Sequence, residues 1–196
     1  MKKKSNITAQ TKAKIVKTFI KLCLEEKPNK ITVTKIIAKA KYNRSTFYEY
    51  FQSIDDLYSQ IEQELLERIE FLIKETHTNI INNKGRALNE RPYKTIALYT
   101  NALIRYSGNP ALVTKIKKIV KRVLIDTYDT KSINNISNNY VMEFVINGMI
   151  GVYIHWANSK FDLKVHELKK IMLPFIMVLT NSLLEEKNPH YKESVL

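Results

Sequence analysis

The sequence predicts an all-α protein. Apolar residues recur at three- and four-residue spacing almost throughout, alternating β-branched runs are rare, and only four glycines and five prolines interrupt the 196 residues. A 3.6-residue period places such positions on one helix face, which must then be buried against another helix. The 44% hydrophobic content supplies enough apolar surface for a sizeable core and argues against disorder throughout. No internal repeat or low-complexity linker breaks the pattern.

The first helix is predicted from about Thr8 to Glu26, with Val16, Phe19, Ile20 and Cys23 on one stripe, and Pro28-Asn29 stopping it. A short helix follows over Val33 to Ala40, burying Val33, Ile36, Ile37 and Ala40. A second short helix runs from Arg44 or Ser45 to Tyr50, with Phe47 and Phe51 pointing inward. Ser53-Ile54-Asp55-Asp56 has capping-box form and opens a long helix through Leu57, Ile61, Leu65 and Ile69. Asn79 to Asn89 is polar and reads as a loop or helix end. A helix over Arg91 to Ser107 ends at Gly108, and Asn109-Pro110 starts the next, which runs to Asp126. Two long segments, Ile133 to Asn158 and Lys164 to Glu186, complete the chain, with Pro174 predicting a kink near Lys170 to Met172.

Charge is distributed unevenly. The total is +13, yet residues 1–50 hold 13 Lys and Arg against Glu25, Glu26 and Glu49, a net of +10, leaving +3 for the rest. An AT-rich genome would explain part of the total through its Lys, Ile and Asn bias, but not the asymmetry. A basic end on a nearly balanced body suggests a polyanion-binding module on a larger scaffold.

One cysteine excludes an internal disulfide framework and a Cys-rich metal site. Met1 to Lys4 has the basic start of a signal peptide, but Ser5, Asn6, Thr8, Gln10 and Thr11 occupy the place of its apolar segment. The longest uncharged run, Phe144 to Ser159, falls short of a bilayer span. A cytoplasmic protein without a membrane partner is expected. His77, His155, His166 and His190 show no metal spacing, and nucleophile motifs, a Gly-rich phosphate loop and a convincing carboxylate pair are lacking. Neither an enzyme nor a metal or other cofactor is expected.

Residues 31–51, ITVTKIIAKAKYNRSTFYEYF, describe a short helix, a turn of about four residues and a second short helix rich in hydrogen-bonding side chains. That is helix-turn-helix spacing. The second helix is too short to persist alone and must be held by Phe47 and Phe51, which frees its outer face for a major groove while lysines neutralise phosphates.

The stretch from Ile31 through Leu57, with ITV, IAKA, STFYEYF and DDL, resembles the DNA-binding domain of the TetR/AcrR family of transcriptional regulators, and Thr46-Phe47-Tyr48-Glu49-Tyr50-Phe51 carries most of that likeness. Tyr140 to Gly151, followed by Trp156, is similar to the C-terminal class found in regulators related to activators of dihydroxyacetone kinase genes. The resemblance implies an all-α homodimer: a three-helix N-terminal domain over residues 1–53 that binds double-stranded DNA, and a helical bundle over 54–196 that dimerises and takes a small-molecule effector. It places Lys41, Tyr42, Asn43, Arg44, Ser45 and Thr46 at the turn and the start of the recognition helix. It also matches Tyr48 to a phosphate-contacting tyrosine, and sets Thr34 and Lys35 where the second helix meets a phosphate.

Three positions depart from the family pattern. Lys41 stands where many members have glycine, so the turn adopts either another backbone or a strained left-handed one. Ile54 replaces a common phosphate-binding lysine. Glu49 would repel phosphates, and fits either acceptance from a cytosine amino group or pairing with a lysine.

Each candidate has a plainer alternative. Arg44 fits a bidentate guanine contact or a phosphate clamp, Tyr48 a phosphate ligand or packing on the first helix, and Lys2 to Lys4 a DNA-following arm or a solvated tail. Lys115, Lys117, Lys118, Lys121 and Arg122 form either a solvated face or a site for an acidic effector or a protein partner. Tyr99, Leu103, Tyr106, Phe144, Gly148, Tyr153 and Trp156 line a ligand pocket in the family-based reading, and are plain core otherwise. Gly148 and Gly151 suit a dimer seam or tight packing within the chain.

The expected function is a repressor that binds a palindromic operator as a homodimer through its last two helices and is released by an effector. The alternatives are a protein of this fold acting as a co-activator or scaffold without small-molecule control, and a basic protein binding anionic membrane surfaces.

Overall fold

A computed structural model describes residues 2–81, 90–127 and 136–184, and among these it is helical with no strand. The elements are α1 (Lys2–Glu25), a 3-10 turn (Pro28–Lys30), α2 (Val33–Ala40), α3 (Arg44–Tyr48), α4 (Ile54–Ile81), α5 (Glu90–Ser107), α6 (Ala111–Thr127), α7 (Ile136–Asn158) and α8 (Val165–Leu184). The all-α class is as expected, and so are the bounds of α2.

Several ends differ from expectation. The first helix begins at Lys2 rather than near Thr8, so the backbone of Lys2 to Lys4 is helical. The helix α3 ends at Tyr48, two residues early, because Tyr50 and Phe51 both donate their N–H groups to the Phe47 carbonyl as the chain turns toward α4. The expected loop from Asn79 overlaps the end of α4, and its remainder, 82–89, lies outside the described residues. So do 133–135, 185–186 and His190. Pro174 is carried inside α8 without ending it.

Local chemistry explains the boundaries. Ser53 Oγ accepts from Asp56 N–H at 3.1 Å, while the Asp56 carboxylate accepts from Gln52 N–H at 2.8 Å, a capping pair displaced one residue upstream. Gly108 stops α5 at φ 60°, and Asn109 Oδ1 accepts from Ala111 N–H at 2.8 Å to start α6. Glu167 reaches back to Lys164 N–H at 2.7 Å, capping α8.

The chain forms two compact units. The first holds α1 to α3, α4 through Glu67, and Leu98–Leu112. Its core contains Ile15, Phe19, Leu22, Ile36, Ala40, Phe47, Leu57 and Leu103, none measurably exposed. Phe47 and Phe51 point inward as expected. Ile15 and Leu22 join the α1 stripe, while Val16 and Val33 are half-buried rather than core. The Tyr106 ring meets Phe19 edge-on at 5.1 Å and lies 5.7 Å from Tyr58.

The second unit holds α4 from Arg68, α5 through Ala97, and α6 from Val113 with α7 and α8. Met142, Val145 and Ile146 are its core on α7, backed by Val120, Met149 and Ile150. Trp156 is buried, donates its indole N–H to Leu163 O at 2.9 Å and meets Phe161 edge-on at 4.8 Å. These contacts hold the turn before α8, where Lys160 and Phe161 have φ of 56° and 61°.

Candidate nucleic-acid interface

The turn between α2 and α3 is built by Lys41. Its φ and ψ are 59° and 48°, the left-handed region, and this resolves the two backbones left open by the missing glycine in favour of the strained one. Lys41 N–H donates to Ala38 O at 3.2 Å and Tyr42 N–H to Ile37 O at 3.0 Å, a Schellman stop that closes α2 and redirects the chain. Asn43 then enters α3 with extended backbone, φ −89° and ψ 160°, and its side chain makes no capping bond.

Two opposed faces result. Phe47, fully buried, anchors α3, with Phe51 5.5 Å away. On the outside Asn43, Arg44 and Ser45 are exposed, Thr46 is half-buried, and Tyr48 is 51% exposed despite an edge contact to Phe47. The five-residue helix and its N-cap thus place three polar side chains and a phenol in the open while a single aromatic fixes the helix from behind. Glu49 is exposed and, among the described residues, has no ion-pair partner, so the lysine pairing weighed for it is not formed.

Other predicted residues are placed differently. Thr34 and Lys41 are exposed, as a phosphate contact requires. Tyr42 is half-buried and carries the Lys14 ammonium 5.0 Å from its ring centre, which orients it toward α1. Lys35 donates to the Glu26 carboxylate, and its backbone N–H is capped by Thr32 Oγ1 at 3.2 Å. Lys12 approaches Glu64 at 3.6 Å and the Phe51 ring at 5.7 Å. Sequence reasoning passed over Thr32, Lys12 and Lys14; a threonine immediately before the apolar spacing of α2 was the visible signal for Thr32.

The candidate ligand residues fall in both units. Tyr99, Leu103 and Tyr106 belong to the first, where Leu103 is fully buried and burial raises the Tyr106 hydroxyl pKa above the ordinary 10.0. Phe144, Gly148, Tyr153 and Trp156 belong to the second. Phe144 is 70% exposed, whereas burial pushes the Tyr153 hydroxyl pKa upward. A groove of about 470 Å³ lies along α7 and α8, lined by Gly148, Gly151, His155, Trp156, Leu168 and Ile171 among others.

In the basic cluster of α6, Lys117 pairs with Glu143 at 2.7 Å and Arg122 pairs with Glu70, so these two tie helices together, while Lys118 and Lys121 are exposed. No helix among the described residues is long and apolar enough to cross a membrane.

Comparison with known proteins adds one match: residues 93–177 fit the family model TetR_C_8, described as a transcriptional regulator C-terminal region. No curated protein matches the chain.

Proposed function

We propose, from the match of residues 93–177 to a TetR-family transcriptional regulator C-terminal region, that this chain is a repressor that reads a palindromic operator as a homodimer. Residues 1–53 form the reading head, and 54–196 the dimerisation and regulatory body. The observation that carries the reading is the outer face of α3, where Arg44, Ser45 and Tyr48 stand exposed on a helix anchored by the fully buried Phe47. Such a face enters the major groove, Arg44 and Ser45 meeting base edges while Tyr48, Thr34 and Lys41 meet phosphates. The concentration of positive charge in the first fifty residues supports encounter with DNA.

Dimerisation is assigned to α7 and α8. Tyr140 and Phe144 on α7 and Ile171, Leu173, Phe175, Met177 and Val178 on α8 are 42–75% exposed, an apolar surface unusual for a free monomer. Among the described residues a Cβ added at Gly148 or Gly151 would meet nothing within 4 Å, which supports a place for the pair in a seam between copies. Half-site centres then lie about one helical turn apart, on the order of 34 Å, or somewhat more. A small-molecule effector would release the operator by preferring a state with different separation of the reading heads.

Replacing Arg44 and Tyr48 together with alanine tests the reading: footprints on genomic DNA disappear while sedimentation and helicity stay those of the parent. Persistent footprints would place the reading helix elsewhere. A second reading, a TetR-fold co-activator or scaffold without small-molecule control, is favoured by Leu103 and Trp156, which are buried as core residues. Ligand extraction from the purified protein separates the two, because only the effector-controlled form yields a bound molecule that loosens DNA binding.

A further inference from the structure

Glu25 and Glu26 are two of the three acidic residues in the first fifty. They stand at the C-terminal end of α1, where the helix dipole disfavours negative charge and where the last turn contains no basic residue. Their position is explained by what they hold. Glu26 accepts from Lys35, on the first turn of α2, and lies 3.8 Å from Lys39 one turn later. Glu25 lies 3.3 Å from Lys39 and 3.7 Å from Lys21. The Glu26 side chain is 19% exposed, the least exposed member of this network. Its bond to Lys35, helped by the charges of Lys35, Lys39 and Lys30, keeps its carboxyl pKa below the usual 4.5.

We propose that Glu26 is a positioning residue for DNA recognition, holding Lys35 against the end of α1 and so withdrawing it from the set of cations that meet phosphate. This rests on the DNA-binding reading above. Lys35, next to Thr34 on the first turn of α2, would otherwise add attraction that is blind to sequence. With Lys35 held, less of the affinity comes from backbone charge, and a larger share is left to Arg44, Ser45 and Tyr48 on α3. The same bond ties the first turn of α2, already capped by Thr32, to the end of α1.

The test measures the salt dependence of binding to a mixed-sequence DNA duplex of about three helical turns. Freeing one lysine adds about 0.9 to the slope of log K against log salt. E26Q is therefore expected to bind this duplex more tightly at low salt and to steepen the slope by about that amount, whereas E26D stays near the parent. K35Q in the parent background leaves the slope unchanged, and in the E26Q background returns it to the parental value. A purely structural Glu26 would weaken binding in E26Q without steepening it, and that result overturns the proposal. So does a loss of about 0.9 in slope for K35Q alone, a variant that decides the matter even where E26Q does not fold. A parent protein with no salt-dependent DNA binding would refute the DNA-binding reading itself, a different outcome from an unaltered slope in E26Q.

Discussion

Replacing Lys41 with glycine should make the protein more stable and its grip on DNA weaker. Lys41 sits at φ 59° and ψ 48°, where a Cβ clashes with the adjoining backbone at a cost of about 1–2 kcal/mol. Glycine removes that clash but gives the unfolded chain more freedom, which takes back about 0.4–1 kcal/mol. The Lys41 side chain is exposed, so no packing is lost. The expected net gain is about 0.5–1 kcal/mol, a rise of about 1–4 °C in melting temperature for a chain of this size. Urea and thermal unfolding followed by far-ultraviolet circular dichroism measure it. K41A is the essential partner, since alanine keeps the Cβ and loses only the ammonium, and it should fall below K41G by about 1 kcal/mol. Both variants should lose about 0.9 from the slope of DNA binding against salt, as each removes the same charge from the turn. If K41G is less stable than K41A, the left-handed turn is not strained in the way the backbone angles indicate.

Four other outcomes are expected. T32A should cost about 1 kcal/mol by removing the cap on Lys35 N–H, and T32S should restore it in the same unfolding assay. F161A keeps a Cβ at φ 61° but loses the edge contact to Trp156, so it should destabilise by about 2 kcal/mol with a shift in the emission of the single tryptophan. Glu26, Asp56, Glu70, Glu90 and Glu143 all titrate below their ordinary values, chiefly through bonds to Lys35, Gln52 N–H, Lys74, Lys94 and Lys117 in turn. Their stabilisation is complete above the unfolded values of 4.5 for Glu and 3.8 for Asp, and disappears as pH falls through the lower folded ones. Urea midpoints should therefore drop between about pH 5 and pH 3, and D56N should flatten part of that drop. Burial pushes the Cys23 thiol to about 12, so a thiol reagent at neutral pH should label it only as the protein unfolds.

Much of the candidate nucleic-acid interface is legible in the sequence alone. The bounds of α2 and the inward Phe47 and Phe51 follow from periodicity, because a helix converts spacing in the chain into direction in space, whereas the places of Arg44, Ser45 and Tyr48 came from the family resemblance. The cap at Ser53, the stop at Gly108 and the start at Asn109 were equally readable, since each depends on side chains within a few residues of the backbone groups they satisfy. The asymmetry of charge needed only a count.

What the chain does with that charge was decided by tertiary structure. Lys35 and Lys41 are alike in sequence, yet Glu26, nine residues before Lys35, engages the first, while the second faces solvent on a left-handed turn. Lys117 and Arg122, read as part of a basic face, are tied to Glu143 and Glu70, which lie 26 and 52 residues away along the chain. Periodicity names the face a residue occupies on its own helix, but not the charge that a second helix brings to it. Composition therefore determined that this end of the molecule is positive, and packing determined which of those charges are tied to carboxylates and which face solvent.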